Sequence, residues 1–434
     1  VGLSEEHVKI HGEVTTEGKL TCDQLRWVHR TMKTRGVVDL SRNDGFELFA
    51  GWSSERRDDL PCNCSSGLKC LFVDEALFFL LLEILPSVKN LALYGGLFQP
   101  SVAHLTRAAG RETISLRRLA EQCGTRAPNL VNAVISSQHF NESFPSAELG
   151  EMKRLGFLDV GQNNLSGVLN SSFFLPLVHL KKLYLSFNQI QGTIPAEIGG
   201  LRFLETLSAR ANQLSGRLDF LTELQHLRVV DLRNNYFSGT LPSAGLARLS
   251  KLEFFELQNN NLTGSIPEEL GNIVSLNVLD LGSNNMSGTI PPSFSALVNL
   301  GFLSLVGNAL KGIIPDVITK LTRLRRLYLY KNKWSGPLPI GLGALRNLRE
   351  LDLGFGNLNG TIPASIFDLT ALRTLVLGPN RLNGTIPAEG LSALAQLEVL
   401  ILENNYLSMP AAGINGMTTL VHLRKLRLSF NKLK

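Results

Sequence analysis

His7 and His11 stand four residues apart, the spacing that puts two metal ligands on one face of a helix, but the N-terminal stretch around them is polar and supplies no third ligand. Cys62, Cys64 and Cys70 bring three thiols close in sequence, with Cys22 upstream. The Cys-x-x-Cys spacing of zinc sites is missing, so disulfides are expected rather than a metal, and disulfides would place the protein in an oxidising compartment. Cys123 is then left over: buried, paired with another chain, or a sign of an irregular gene model. No Gly-x4-Gly-Lys-Ser/Thr, His-Glu-x-x-His or Gly-x-Ser-x-Gly pattern occurs. No catalytic residue, cofactor or metal is therefore expected, and a kinase would have to lie beyond Lys434.

The side chains suited to binding fall in columns. Arg210 and Arg233 stand with Asp231 and Glu256, and Tyr328, Tyr330 and Lys331 stand with Arg325, Arg326 and Arg349. Arg and Tyr are over-represented at interface hot spots, and Arg grips carboxylates with two parallel bonds. These residues, Arg325 apart, are the candidate ligand-binding set; the competing reading is that their charges neutralise each other across strands. Tyr328 and Tyr330 are two apart, so a strand sends both to one face, where flat rings among donors would suit an acidic or sulfated peptide. Neither tyrosine is expected to pack the core.

What must position these columns is a repeat. From Leu130 onward the chain reads Leu-x-x-Leu-x-Leu-x-x-Asn-x-Leu-x-Gly-x-Ile-Pro thirteen times, starting at Leu130, Leu155, Leu180, Leu204, Leu227, Leu252, Leu276, Leu300, Leu324, Leu348, Leu372, Leu397 and Leu423. The 23 to 26 residues between starts fall within the about 20 to 29 of leucine-rich repeats. Leu-x-Leu puts two leucines on one face of a short strand, which only stacked neighbours can bury, so a parallel sheet results and the intervening x positions face outward. The Asn sits where the chain leaves the strand, and its amide can bond the backbone groups freed there. Gln138 and Gly356 replace it in two repeats. Gly356 predicts a gap in the ladder, with Asn357 as the available substitute.

The Gly-x-Ile-Pro half resembles the plant-specific class of leucine-rich repeat found in receptor kinases, receptor-like proteins and polygalacturonase-inhibiting proteins. The resemblance implies an α/β solenoid, a curved and superhelically twisted array with a parallel concave sheet, a second short sheet and an N-terminal cap. Cys22, Cys62, Cys64 and Cys70 around Trp52 are similar to that cap, where the first Cys pairs with one member of the close pair and the other member with the last. Here Asn63 separates the close pair, which leaves the pairing open. Some peptide-sensing receptors of the class use an Arg-x-Arg pair on one concave strand, and the matching positions here are never both Arg.

The expected organisation is a flexible stretch over 1–19, a cap over 20–86, degenerate first repeats over 87–129 and repeats over 130–434, the last cut short. Between Val88 and Leu130 the period fails, and the arginines there read as a solvated helix or, alternatively, as a basic docking surface. The net charge of +6 is scattered, which argues against nucleic acid. The most apolar run, Ala76–Leu82, is seven residues against the ~20 of a membrane span. With no signal peptide visible at Val1 and a last repeat that stops short, the sequence reads as a fragment or ectodomain. Asn-x-Ser/Thr sequons stand at Asn63, Asn141, Asn164, Asn170, Asn261, Asn285, Asn359 and Asn383, surface glycan acceptors if the chain is secreted, although Asn-Leu-Ser-Gly repeats generate such sequons on their own. The function expected is extracellular recognition by a plant receptor ectodomain binding a peptide or protein, with a possible co-receptor, in defence or development. The alternatives are a soluble inhibitor of cell-wall-degrading glycosidases and an intracellular scaffold.

Overall fold

A computed structural model of the chain describes residues 47–50, 90–93, 115–126, 129–386, 388–409 and 417–433. His7, His11, Cys22, Cys62, Asn63, Cys64 and Cys70 lie outside them. The chain divides into two units, Val1–Gln213 and Leu214–Lys434.

In the first unit the strands Asn132–Val134, Phe157–Asp159, Lys182–Tyr184 and Thr206–Ser208 lie parallel in sequence order. Asn90–Leu93 pairs ahead of them. Glu47–Ala50 pairs with it in turn, a strand inside the expected cap that no periodicity announced. Within the irregular interval, Leu116–Arg126 is a helix that buries Leu116, Leu119, Ala120 and Cys123. Its outer face is solvated, and Arg117 pairs with Glu148 at 3.1 Å. Cys123 is a free thiol that burial pushes up to about 12, so it stays protonated and unreactive at neutral pH.

Among its described residues the second unit gives the long sheet nine strands from Val229–Asp231 to Lys425–Arg427, one per repeat, again parallel and in sequence order. Register follows the leucines: Leu303 stands opposite Leu327, and Leu327 opposite Leu351. All three are fully buried, as are Leu324 and Leu329 on either side of Leu327, and each such side chain contributes roughly 2 kcal/mol of burial that one repeat alone could not realise. The second half of the repeat forms short outer strands, such as Lys311–Gly312, Lys333–Pro337 and Asn357–Asn359, which pair with one another. The proline that follows lies just before a 3-10 turn, as Pro315 does before Asp316–Lys320, where its missing N–H breaks no ladder bond.

The asparagines join neighbouring repeats. Asn260 Nδ2 donates to the carbonyls of Leu257 and, one repeat back, Leu232, while its Oδ1 accepts the N–H of Phe237. The residue before the ladder position is left-handed in most repeats, for example Asn234, Asn259 and Lys331, which turns the chain off the strand. Gln138 is buried and bonds the carbonyl of Ser136. At Gly356 the expected substitute is not the one used, because Asn357 is exposed on its outer strand. Elsewhere the ladder Asn reaches the carbonyl three residues before the preceding Asn, which for position 356 is that of Leu329. The indole N–H of buried Trp334 takes it, Nε1 to O at 2.8 Å.

Candidate functional site

The x positions beside the strand leucines face outward, as in Arg326-Leu327-Tyr328, where the flanking residues are accessible and the leucine is buried. In the first unit Arg210 lies over the Phe187 ring at 4.5 Å. Asp231, Arg233 and Glu256 come together in the second. Arg233 Nη1 meets Glu256 Oε1 at 3.0 Å and Nη2 donates to Asp231 Oδ2 at 3.0 Å. Its Nε stands 3.0 Å from Asp231 Oδ1, close enough for an ion contact, but neither atom has a hydrogen-bond partner. The fork that a ligand carboxylate would need is thus held by the protein's own acids, and the cost of burying Asp231, 6% exposed, is offset inside the fold.

The second cluster divides. Tyr328 donates its hydroxyl to the Glu350 carboxylate and meets Phe302 edge-on at 5.6 Å. Burial and that carboxylate hold its phenol well above its ordinary value. Tyr328 is half-buried on the outward face, outside the leucine core, with its hydroxyl already engaged: a side chain between two strand neighbours can still be partly covered by the residues one repeat before and after. Tyr330 and Lys331 remain open partners, with Lys331 Nζ 6.0 Å from the ring centroids of Tyr330 and Phe355, the outer limit for a cation over a ring. Arg326 pairs with Glu350 at 3.1 Å.

Arg326 and Arg349 also line a cleft of ≈ 620 Å³ that the sequence columns did not identify. Arg323 and Arg325 complete its arginines, and Gly301, Asn277, Asn299 and Asn347 stand along it. Arg323 bonds Asn299 at 2.7 Å. The signal was present in the column immediately after each first leucine, which the columns drawn through the strand centres leave out.

Some outward positions serve the fold. Asp159, Asp280 and Asp352 accept the N–H of Gly161, Gly282 and Gly354, two residues on, at 2.9, 2.9 and 3.0 Å. Burial raises the carboxyls of Asp280 and Asp352, against those bonds. The folded chain then holds a proton at a pH where the unfolded chain has released it, so ionised Asp352 costs stability at neutral pH, and the cost vanishes as pH falls through the raised value. Asp352→Asn keeps an Oδ1 acceptor for Gly354. It is expected to raise the urea midpoint at about pH 7 and to lose that advantage near pH 4; an equal advantage at both would rule out charge burial as its cause.

Of the described sequon residues, Asn141, Asn170, Asn261, Asn285, Asn359 and Asn383 are exposed, whereas half-buried Asn164 donates to Asn141 at 2.8 Å and accepts from Gln189. Among the described residues no His, Cys, Asp and Glu cluster could hold a metal ion, and no helix is long and apolar enough to cross a membrane.

A family model described as a leucine-rich repeat region matches residues 215–361, and further leucine-rich-repeat models match 346–407 and 179–201. The chain is a leucine-rich-repeat protein. Its repeats are of the class carried by plant receptor-like proteins: Receptor-like protein 39 of Arabidopsis thaliana is 35% identical over 136 residues, 31% of this chain and 15% of that protein. This leucine-rich-repeat chain thus matches only a small part of such a relative's length. Among solved structures, a TDR receptor superposes with a TM-score of 0.65 at 26% identity, over 96% of this chain and 67% of that one. The ectodomain of the Arabidopsis receptor kinase HAESA, in complex with a peptide hormone ligand, superposes with a TM-score of 0.68 at 26% identity, over 84% of this chain and 65% of that one.

Proposed function

We propose that this chain is the extracellular recognition part of a plant receptor kinase or receptor-like protein, binding an extended peptide or protein segment on the outward strand faces, with a co-receptor, for signalling in defence or development. The observation that supports this most is the run of accessible positions on successive parallel strands, carrying Tyr330, Lys331 and Phe355 where no packing demand fixes them. The peptide-bound HAESA structure supports the ligand class, and the exposed sequons support a secreted chain. Arg349 belongs to the proposed contact set of the second unit, whose outward face Asp231, Arg233, Glu256, Arg326 and Tyr328 shape through the bonds described above, and Arg210 is a contact candidate on the first unit's own outward face.

The chain, expressed through a secretory route, is panned against a displayed peptide library. Selected peptides are expected to lose roughly 2 kcal/mol of affinity, about thirtyfold, on Tyr330→Ala with Lys331→Ala. They should be indifferent to Lys320→Ala on the exposed 3-10 turn away from the strands. Binders indifferent to the first variant would remove the strand face from the site.

A further inference from the structure

The residue after each first leucine forms a column along one end of the strands: Arg228, Glu253, Asn277, Gly301, Arg325, Arg349, Arg373, Glu398 and Arg424. Where this column offers an acid, the arginine beside it takes it: Arg228 meets Glu253 at 2.6 Å, and Arg373 meets Glu398 at 3.5 Å. Arg325 and Arg349 have no such neighbour. Backbone bonds run from Arg325 N to Gly301 O and from Arg349 N to Arg325 O, each 2.8 Å, so the two arginines lead into adjacent strands, with Gly301 at the same place one repeat before. Both are exposed, and neither side chain makes an ion pair or hydrogen bond within the described residues. Like charges carried on neighbouring backbones, about 4.8 Å apart, repel, and no carboxylate lines the ≈ 620 Å³ cleft to relieve them.

We propose that this cleft is an oxyanion subsite that grips an acidic peptide segment through Arg325 and Arg349, with Arg323 beside them. The proposal rests on the peptide-receptor reading and names the chemistry of the ligand. A guanidinium pair presents parallel N–H donors that match a carboxylate or sulfate, and Gly301 puts no acid beside Arg325, while the Asn277 amide, its Oδ1 2.8 Å from where a Gly301 Cβ would sit, borders the site. Phe302 lines the cleft and also packs edge-on against Tyr328. The cleft therefore leads onto aromatic surface, which fits a segment with an anionic side chain next to an apolar one better than a uniformly charged sugar chain. The oxyanion can come from an aspartate or glutamate, or from a sulfated tyrosine.

The first unit has a comparable gap of ≈ 590 Å³ where Gly156 takes the place of Gly301, but its walls include Val131, Phe157 and Phe203 beside Arg154 and two lysines, a weaker match to an oxyanion.

Three labelled octapeptides that differ only at one pair of positions, Glu-Glu, Gln-sulfotyrosine and Gln-Gln, are titrated against the secreted full chain by fluorescence anisotropy, with hexagalacturonate as competitor. At least one anionic peptide is expected to bind tenfold or more tightly than the neutral one, and which of them does so identifies the source of the oxyanion. Arg325→Ala with Arg349→Ala should abolish that ratio with circular dichroism unchanged, because neither side chain holds the fold. Gly301→Glu should abolish it as well, by placing a carboxylate one repeat before Arg325; the new Cβ meets only the end of the Asn277 side chain, at 2.8 Å, which can shift. Equal binding of all three peptides, or a ratio that survives both variants, would overturn the subsite. So would displacement by hexagalacturonate with no preference among the peptides. Tyr330→Ala with Lys331→Ala should weaken all three alike; indifference to that variant counts against the strand-face reading and leaves the arginine ratio standing.

Discussion

Trp334→Leu is expected to lower the free energy of unfolding by about 3 kcal/mol, and adding Gly356→Asn to restore most of it. Leucine is the repeat's own residue at that position, yet here it would empty space beside a glycine and leave the Leu329 carbonyl without the indole N–H that bonds it at 2.8 Å. Gly356→Asn alone should also cost stability. A Cβ on Gly356 would stand 2.9 Å from Asn380 Oδ1, and the new amide would compete with Trp334 for one carbonyl. Together the two changes recreate the pair found in neighbouring repeats, such as Leu310 with Asn332, with little net change in volume. Urea unfolding of the wild type, both single variants and the double variant closes the cycle. Losses that simply add would mean that Trp334 does not stand in for the missing ladder residue.

That exchange marks how far the residues can be read without coordinates. The leucines at Leu324, Leu327 and Leu329 specify strand, register and core by spacing alone, because a period of two on a strand has one face to bury. The asparagine ladder is equally legible, since one residue type at one offset answers a backbone need. What spacing does not reveal is a partner from another position in the motif: the bond to Leu329 comes from a residue two places past the ladder Asn, and only geometry shows that an indole reaches it. The candidate site was half legible for the same reason. Columns identify Arg233 and Tyr328 as outward residues, yet Asp231, Glu256 and Glu350 already occupy them, and the carboxylate that satisfies an arginine is one strand away. The cleft at Arg325 and Arg349 depends on what Gly301 lacks, which becomes visible only when the column is compared along its length.

Gly378→Ala is expected to cost about 2–4 kcal/mol, whereas Gly282→Ala, at the equivalent position, should cost about 1 kcal/mol or less. A Cβ on Gly378 would stand 2.0 Å from the carbonyl oxygen of Glu403 and 2.9 Å from its nitrogen, so the backbone of the next repeat would have to move. Gly354 is intermediate, 2.5 Å from the Gly378 oxygen. At Gly282 the nearest atoms are Asp280 Oδ1 and Ser304 Oγ at 3.1 and 3.2 Å, side-chain ends that can shift. The order of urea midpoints among the three alanine variants should follow these distances, and equal midpoints would show that the repeats separate without penalty. The consequence reaches the binding surface. This column includes Tyr330, yet Gly354 and Gly378 are buried and a side chain there has no space to occupy, so those two strands offer a ligand no side chain at that position. Selectivity there must come from the neighbouring positions, Lys331 and Phe355 on one side and Arg325 and Arg349 on the other.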